Sequence, residues 1–310
     1  MPAKCLTLRP TGLDTTPSVM PTLIYGTAWK KESTTPCVYT ALKTGFRAVD
    51  TAAQPRHYRE DLVGAAMRRA IAENIVKRED LYIQTKYTPV TSQDPNNMPY
   101  DAHLSISDQV KASINSSLVN FCASEAETRE GSYIDTLVLH TPLPTIEQTI
   151  EAWTTAESFV PNSIRNLGIS NCTLPVLKAL CASPKLKIKP AVVQNRFVQD
   201  PYDYDVELRS FARENDIIYQ SFWTLTANPD LVKSEPVQHL STKTGISNAA
   251  ALYAFVLSLG GTSILDGTKS QIHMQVDLAA VSTVEKFSQE HQQDWQGLLS
   301  SFKRLIGEKA

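Results

Sequence analysis

Eight short apolar runs, rich in Val, Ile and Leu, recur along the chain with amphipathic stretches between them, and this alternation limits the fold more than any other feature. The runs are residues 22–27, 46–51, 81–86, 136–140, 164–170, 191–197, 217–222 and 262–267. Strands that are apolar along their length, rather than alternating, are buried on both faces and belong in a parallel sheet between helices, joined by right-handed crossovers. The stretches 37–44, 62–73, 105–120, 146–159, 174–182, 206–214 and 249–259 repeat apolar residues at three- and four-residue spacing, which predicts those helices. Eight such units close into a (β/α)8 barrel more naturally than they extend as an open sheet. An open doubly wound sheet would normally bring a Gly-x-Gly-x-x-Gly turn after its first strand, and no Gly-x-Gly occurs here. The expectation is therefore an α/β TIM barrel, one domain over residues 1–310, a length that suits such a barrel. Residues 4–20 predict a hairpin capping the bottom of the barrel. Residues 274–282 and 294–306 predict C-terminal helices, the second with Trp295, Leu298, Leu299, Phe302 and Leu305 on one stripe.

Composition narrows the partner. A formal charge of −2 leaves no basic stripe of the kind that a phosphate backbone demands, so nucleic acid is not expected. Eighteen uninterrupted apolar residues occur nowhere, and the first residues lack the pattern of a secretory signal, which together predict a soluble cytoplasmic protein with no membrane segment. The five cysteines are odd in number, form no Cys-x-x-Cys pair and have no neighbouring His at ligand spacing; reduced thiols and no metal site are expected. The target is then expected to be small or locally recognised.

Four titratable residues stand at or near strand ends: Asp50, Tyr58, Lys86 and His140. In a barrel the C-terminal strand ends form the active face. A carboxylate, an ammonium, a phenol and an imidazole gathered there shift one another's pKa, and a buried ammonium beside a phenol lowers the phenol toward a usable proton donor. Taken singly each has a plainer role: an N-cap, a solvated strand end, an amphipathic side chain, a loop histidine. Taken together they point to acid–base chemistry at one rim. The polar stretch 88–107 is too long for a minimal connection and is a candidate wall of the site.

The order Asp50-Thr51-Ala52 with Tyr58 beyond it, Lys86 closing a strand, Leu137-Val138-Leu139-His140, Gly168-Ile169-Ser170-Asn171 and Pro190-Ala191-Val192-Val193-Gln194 resembles the aldo-keto reductase family over nearly the whole chain. The resemblance implies an NADPH-dependent reductase of aldehydes or ketones, with Tyr58 as general acid, Lys86 and Asp50 as its tuning pair, and His140 orienting the carbonyl. It places Ser170, Asn171 and Gln194 at the nicotinamide carboxamide, with Gly26 and Thr27 near the cofactor. Gln220 falls where the family stacks a tyrosine on the nicotinamide ring, with Ser221 and Phe222 beside it also placed at the cofactor; the stacking then passes to Phe222 or Trp223, or is lost. Thr268, Lys269, Ser270 and His273 fall at the 2′-phosphate, favouring NADP(H) over NAD(H). Trp29, Tyr87 and Trp223 suggest an aromatic-walled pocket and a hydrophobic carbonyl substrate. The chain departs from the family in a longer Asp50–Tyr58 spacing, in Gln220 where a tyrosine is usual, and in Gly267 where a charge is usual. Two other readings share these residues: a regulatory subunit that keeps a nicotinamide as a ligand, and a redox-neutral isomerase or cyclase using Tyr58 and His140. The loops 88–107 and 222–237 and the C-terminal segment are expected to set the substrate, and oligomeric state is left open.

Overall fold

All eight apolar runs become strands of one closed barrel. The structure is a computed structural model that describes residues 4–11, 18–124 and 131–309. Its barrel strands are β3 (Leu23–Gly26), β4 (Ala48–Asp50), β5 (Tyr82–Tyr87), β6 (Ile134–Leu139), β7 (Ile164–Ser170), β8 (Val192–Arg196), β9 (Ile218–Phe222) and β10 (Thr262–Asp266). They pair in sequence order, each parallel to its neighbours, with β10 returning to β3. Ahead of them β1 (Cys5–Thr7) and β2 (Val19–Pro21) form the expected antiparallel hairpin. The tip of that hairpin lies outside the described residues.

The helices are α1 (Thr34–Thr44), α2 (Glu60–Ala72), α3 (Ile106–Asn120), α4 (Ile146–Glu157), α5 (Leu174–Ala182), α6 (Val206–Glu214), α7 (Pro229–Val232), α8 (Glu235–Thr244), α9 (Asn248–Leu257), α10 (Gln271–Glu290) and α11 (Gln292–Leu305). Local chemistry sets several of their ends. The Ser105 hydroxyl accepts from the Asp108 amide to start α3, and Gly45, at φ 125°, closes α1 just ahead of β4. Segment 222–237, expected as a loop, instead carries α7 and the start of α8. Pro229 and Pro236 there both stand in a first helical turn, where proline has no amide bond to lose. The C-terminal helices also run longer than expected, and Trp295 and Phe302 of α11 stack on Phe255 of α9 at 5.5 and 4.8 Å. None of the helices among the described residues is long and apolar enough to cross a membrane.

Period-two alternation sorts the barrel interior into layers. Leu8 and Met20 of the hairpin segment meet Ile24, Ala48, Tyr82, Val192 and Ile218 in an apolar floor. Above it the register sets Asp50 beside Gln84 and Gln194 beside Gln220. Two residues further along the same strands stand Lys86 on β5 and the neighbours Arg196 and Phe222 on β8 and β9. The upper interior is thus polar, and it opens at the C-terminal strand ends.

Candidate active site

Asp50 ends β4 and Lys86 sits one residue from the end of β5, and both are 1% exposed. The Lys86 ammonium donates to Asp50 Oδ2 at 2.6 Å and to the Thr51 carbonyl at 2.8 Å. Asp50 Oδ1 accepts from Gln84 Nε2 at 2.6 Å and Gln194 Nε2 at 3.1 Å. A buried carboxylate is tolerated only when paired and hydrogen-bonded in this way. Burial pushes the Lys86 ammonium below its ordinary range, while the Asp50 charge and hydrogen bond oppose that.

The longer Asp50–Tyr58 spacing is taken up by a turn that folds back on itself, with the His57 and Tyr58 amides donating to the Gln54 carbonyl at 3.1 and 3.0 Å. Two reciprocal bonds tie this turn to the 88–107 stretch: Gln54 Nε2 to the Ser92 carbonyl at 2.7 Å, and Gln93 Nε2 to the Ala53 carbonyl at 2.8 Å. Beyond the turn, Glu60 opens α2 and is itself buried, accepting from the Ser117 hydroxyl at 2.9 Å, Asn120 Nδ2 at 3.4 Å and the Thr85 hydroxyl.

So held, Tyr58 meets His140 and Lys86. Its ring lies edge-on to His140 with centroids 5.8 Å apart, and Lys86 Nζ stands 5.1 Å from its centroid. The lowered phenol expected from the sequence is not what this geometry produces. Lys86 reaches Asp50 and Thr51 and lies over the Tyr58 ring, so burial pushes the phenol up and the Asp50 charge pushes the same way. His140 Nδ1 pairs with the Thr88 hydroxyl at 2.7 Å, and its carbonyl accepts from Asn171 Nδ2 at 2.9 Å. Burial, then the charges of Lys86, His57 and Arg196, hold the His140 imidazole well below its ordinary pKa, hence neutral.

The residues expected around a cofactor divide into two groups. Ser170 donates to the Gln194 carbonyl at 2.7 Å, and Asn171, in a left-handed conformation at φ 51°, donates to Ser170 Oγ at 3.2 Å. Asn171 Oδ1 is buried without a partner. Thr27 binds the Asp50 carbonyl through both its amide and its hydroxyl, and Gly26 stands partly exposed beside it. Gln220 requires a correction, because it lies fully inside the barrel rather than at the rim. Its amide exchanges bonds of 2.8 and 2.9 Å with Gln84, accepts from Gln194 at 2.9 Å and reaches Met20 Sδ at 3.2 Å. Ser221 is buried too, paired with the Thr224 hydroxyl. Phe222, two residues beyond Gln220, is the one that arrives at the mouth.

Tyr87 is the second correction. One step along a strand reverses the face, so Tyr87 points away from Lys86 toward α3, its hydroxyl on Gln109 Oε1 at 3.2 Å and its ring beside Tyr100. Trp29 and Trp223 do stand at the rim, 60% and 52% exposed, both with left-handed backbone at φ 62° and 58°. Bulky residues rarely adopt that backbone conformation. Trp29 packs on His57 at 3.8 Å.

After β10, residues 267–270 form a loop held by side chains. The Thr268 amide donates to Asp266 Oδ1 at 3.0 Å, the Ser270 amide to Thr268 Oγ1 at 3.2 Å, and Ser270 caps α10 by accepting from the His273 amide at 3.4 Å. Lys269 is exposed in this loop. Beneath it lies Lys30, unremarked in the sequence because it reads as a solvated charge. It is 3% exposed, donates to the Gly267 carbonyl at 2.8 Å, and is pulled down by burial to about 8. Thr88, Glu60 and Arg196 were equally silent, whereas Gln84 was within reach of a period-two reading from Lys86.

Compared with known proteins, residues 22–299 match the Aldo/keto reductase family, and the chain belongs to it. It is therefore an oxidoreductase. It is 28% identical over 236 residues to a methylglyoxal reductase of Escherichia coli O157:H7, covering 76% of this chain and 77% of the relative. It is 28% identical over 275 residues to an NAD(P)H-dependent D-xylose reductase of Scheffersomyces stipitis, covering 75% of this chain and 77% of the relative. The crystal structure of an aldo/keto reductase from Brucella melitensis superposes with a TM-score of 0.69 over 96% of this chain and 99% of that one, at 18% identity, a likeness of fold.

Proposed function

We propose that this enzyme reduces aldehydes or ketones with NADPH by direct hydride transfer, and that Tyr58, His140, Lys86 and Asp50 carry the acid–base work. The observation that carries this reading is their convergence at the barrel mouth, with Tyr58 between the His140 ring and the Lys86 ammonium. The residues around it fit a nicotinamide. Asn171 Oδ1 is an orphaned buried acceptor, and Gln194 spends its amide nitrogen on Asp50 and Gln220 while its oxygen has no partner among the described residues. Two acceptors at one rim suit the N–H groups of a carboxamide. The exposed Lys269, the loop amides and the start of α10 suit a phosphate.

A reduced nicotinamide, when bound, supplies the hydride. His140, kept neutral, presents Nε2 to the carbonyl oxygen. For Nε2 to carry the proton, the Thr88 hydroxyl must donate to Nδ1, which makes Thr88 the residue that selects the tautomer. Tyr58, kept protonated by its surroundings, donates its phenolic proton as negative charge grows on that oxygen. A raised phenol is no obstacle, since an alkoxide is a stronger base than a phenolate and the transfer runs downhill. Lys86, anchored by Asp50, places a fixed cation beside the phenolate that results.

The test is loss of reduced-nicotinamide absorbance with a panel of aldehydes and ketones, in the native enzyme and in Tyr58→Phe. Turnover is expected, and the variant should lose at least about 10²-fold in kcat/KM with NADPH affinity nearly unchanged. Comparable turnover in the variant defeats the assignment of Tyr58. Binding of NADPH with no turnover of any carbonyl defeats the enzymatic reading in favour of a regulatory one.

A further inference from the structure

Arg196 has no function in the account above, yet it occupies the innermost face of the barrel mouth. On β8 it lies two residues beyond Gln194, on the same side of the strand, as Lys86 lies two residues beyond Gln84 on β5. Gln194 and Gln84 both meet Gln220 at the barrel centre, so Arg196 faces the axis one layer above them. Its register partner Phe222 stands beside it. The guanidinium seats on the rings of Phe222 at 5.5 Å and Trp223 at 4.9 Å. Among the described residues it makes no hydrogen bond and no ion pair. The nearest acid on its cleft is Asp205, and that carboxylate is turned to Asn195 at 2.9 Å and the Tyr219 hydroxyl at 3.0 Å. Asn171 and Tyr202 line the same cleft. The cation is also close enough to His140 to act on its charge.

A guanidinium held in place by two aromatic faces, with its donors unspent, is built to receive a planar anion through paired charge-assisted hydrogen bonds. We infer that Arg196 is a specificity-determining residue, and that the carbonyl substrate carries a carboxylate on an aromatic or apolar body. This rests on the carbonyl-reductase reading of the same mouth. It also extends the expectation of a hydrophobic substrate: Trp29, Trp223 and Phe222 take the body and Arg196 takes the charge. An anion could equally come from the cofactor's own phosphates, so the experiment must separate the two sources.

The probes are 2-, 3- and 4-carboxybenzaldehyde, each beside its methyl ester, with benzaldehyde as the uncharged reference. In the native enzyme at least one acid should exceed its ester about tenfold or more in kcat/KM, the low end for a charge-assisted pair. Arg196→Gln should abolish that preference through KM, leaving benzaldehyde reduction and NADPH affinity within about twofold; Arg196→Lys should keep part of it. Because the side chain bonds to nothing, both variants should fold. No preference for any acid in the native enzyme overturns the inference. So does an equal loss on acids, esters and benzaldehyde, or weakened NADPH binding, which would assign Arg196 to the cofactor. A titration of Trp223 fluorescence with the same acids in the presence of NADP⁺ reads binding without turnover. Quenching by an acid and not by its ester, lost in Arg196→Gln, supports the anion site even if reduction fails, whereas equal or absent quenching overturns it.

Discussion

Replacing Glu60 with Gln should change how stability depends on pH, by an amount that the structure sets. The carboxyl is buried in the first turn of α2 and held by Thr85, Ser117 and Asn120. Gly64, one turn on, makes this possible: a Cβ there would stand 1.9 Å from the Asn120 carbonyl oxygen, so only glycine lets α2 approach α3 this closely. Burial raises the carboxyl from 4.5 to about 7, while the three hydrogen bonds and the Lys86 charge pull downward without cancelling it. The folded state therefore holds this proton more tightly than the unfolded chain, and the associated stability is present below the unfolded value and lost as pH rises through the folded one. The gap between 4.5 and about 7 corresponds to roughly 3 kcal/mol in full, of which about 2 kcal/mol falls between pH 5.5 and 8.5. Gln cannot ionise, and any mismatch of its amide with Asn120 adds a constant offset. The assay is urea unfolding of both proteins across that pH range. The stability of Glu60→Gln relative to the native enzyme should rise by about 2 kcal/mol from pH 5.5 to 8.5, whatever the offset. A difference that stays flat would refute the argument, since the carboxyl would then titrate as it does in the unfolded chain.

Lys86→Met leaves the Asp50 carboxylate buried with amide donors alone, so it should cost about 3 kcal/mol of stability near neutrality as well as slowing reduction. Adding Asp50→Asn should restore most of that stability without restoring turnover; a single variant as stable as the native enzyme would show that the ion pair is not formed. Lys269→Ala should weaken NADPH binding by about tenfold or more and NADH binding much less, with added salt eroding the difference because the side chain is exposed. Equal affinity of the native enzyme for the two cofactors would remove Lys269 from the 2′-phosphate.

The barrel was legible because its signal is redundant: eight Val- and Ile-rich runs must each bury two faces, and a boundary error of one or two residues leaves every strand in place. Asp50, Lys86 and His140 could be read for a related reason, as charged residues that close apolar runs. What failed was everything that depends on the direction of a side chain. Tyr87 and Lys86 are adjacent in sequence and lie on opposite faces of β5, one committed to α3 and the other to the barrel interior. Gln220 matches a rim position in sequence order, yet its amide closes a ring with Gln84 and Gln194 that only the closed barrel brings together. The direction of the Tyr58 shift was missed because it turns on whether Lys86 Nζ points at a phenol or at a carboxylate. Helices α7 and α8 were missed because proline at a helix start and proline in a loop look alike until the amide bonds are counted.

The inner surface of the mouth brings together the Asp50 carboxylate, the cations Lys86 and Arg196 and, held neutral, His140. Asp50 is spent on Lys86 and on two amides, though its charge still reaches the Tyr58 phenol. Arg196, by contrast, makes no side-chain hydrogen bond and no ion pair among the described residues, so its charge is left unneutralised. The two cations divide the proposed work: Arg196 receives the substrate's carboxylate, and Lys86 stabilises the phenolate left when Tyr58 gives its proton to the carbonyl oxygen. His140 is neutral first because it is buried, and the charges of Lys86, His57 and Arg196 add to that. Burial keeps both His140 and Tyr58 uncharged, the first helped by the neighbouring cations and the second by the Asp50 carboxylate, so the polar layer over the apolar floor holds a neutral imidazole beside a protonated phenol.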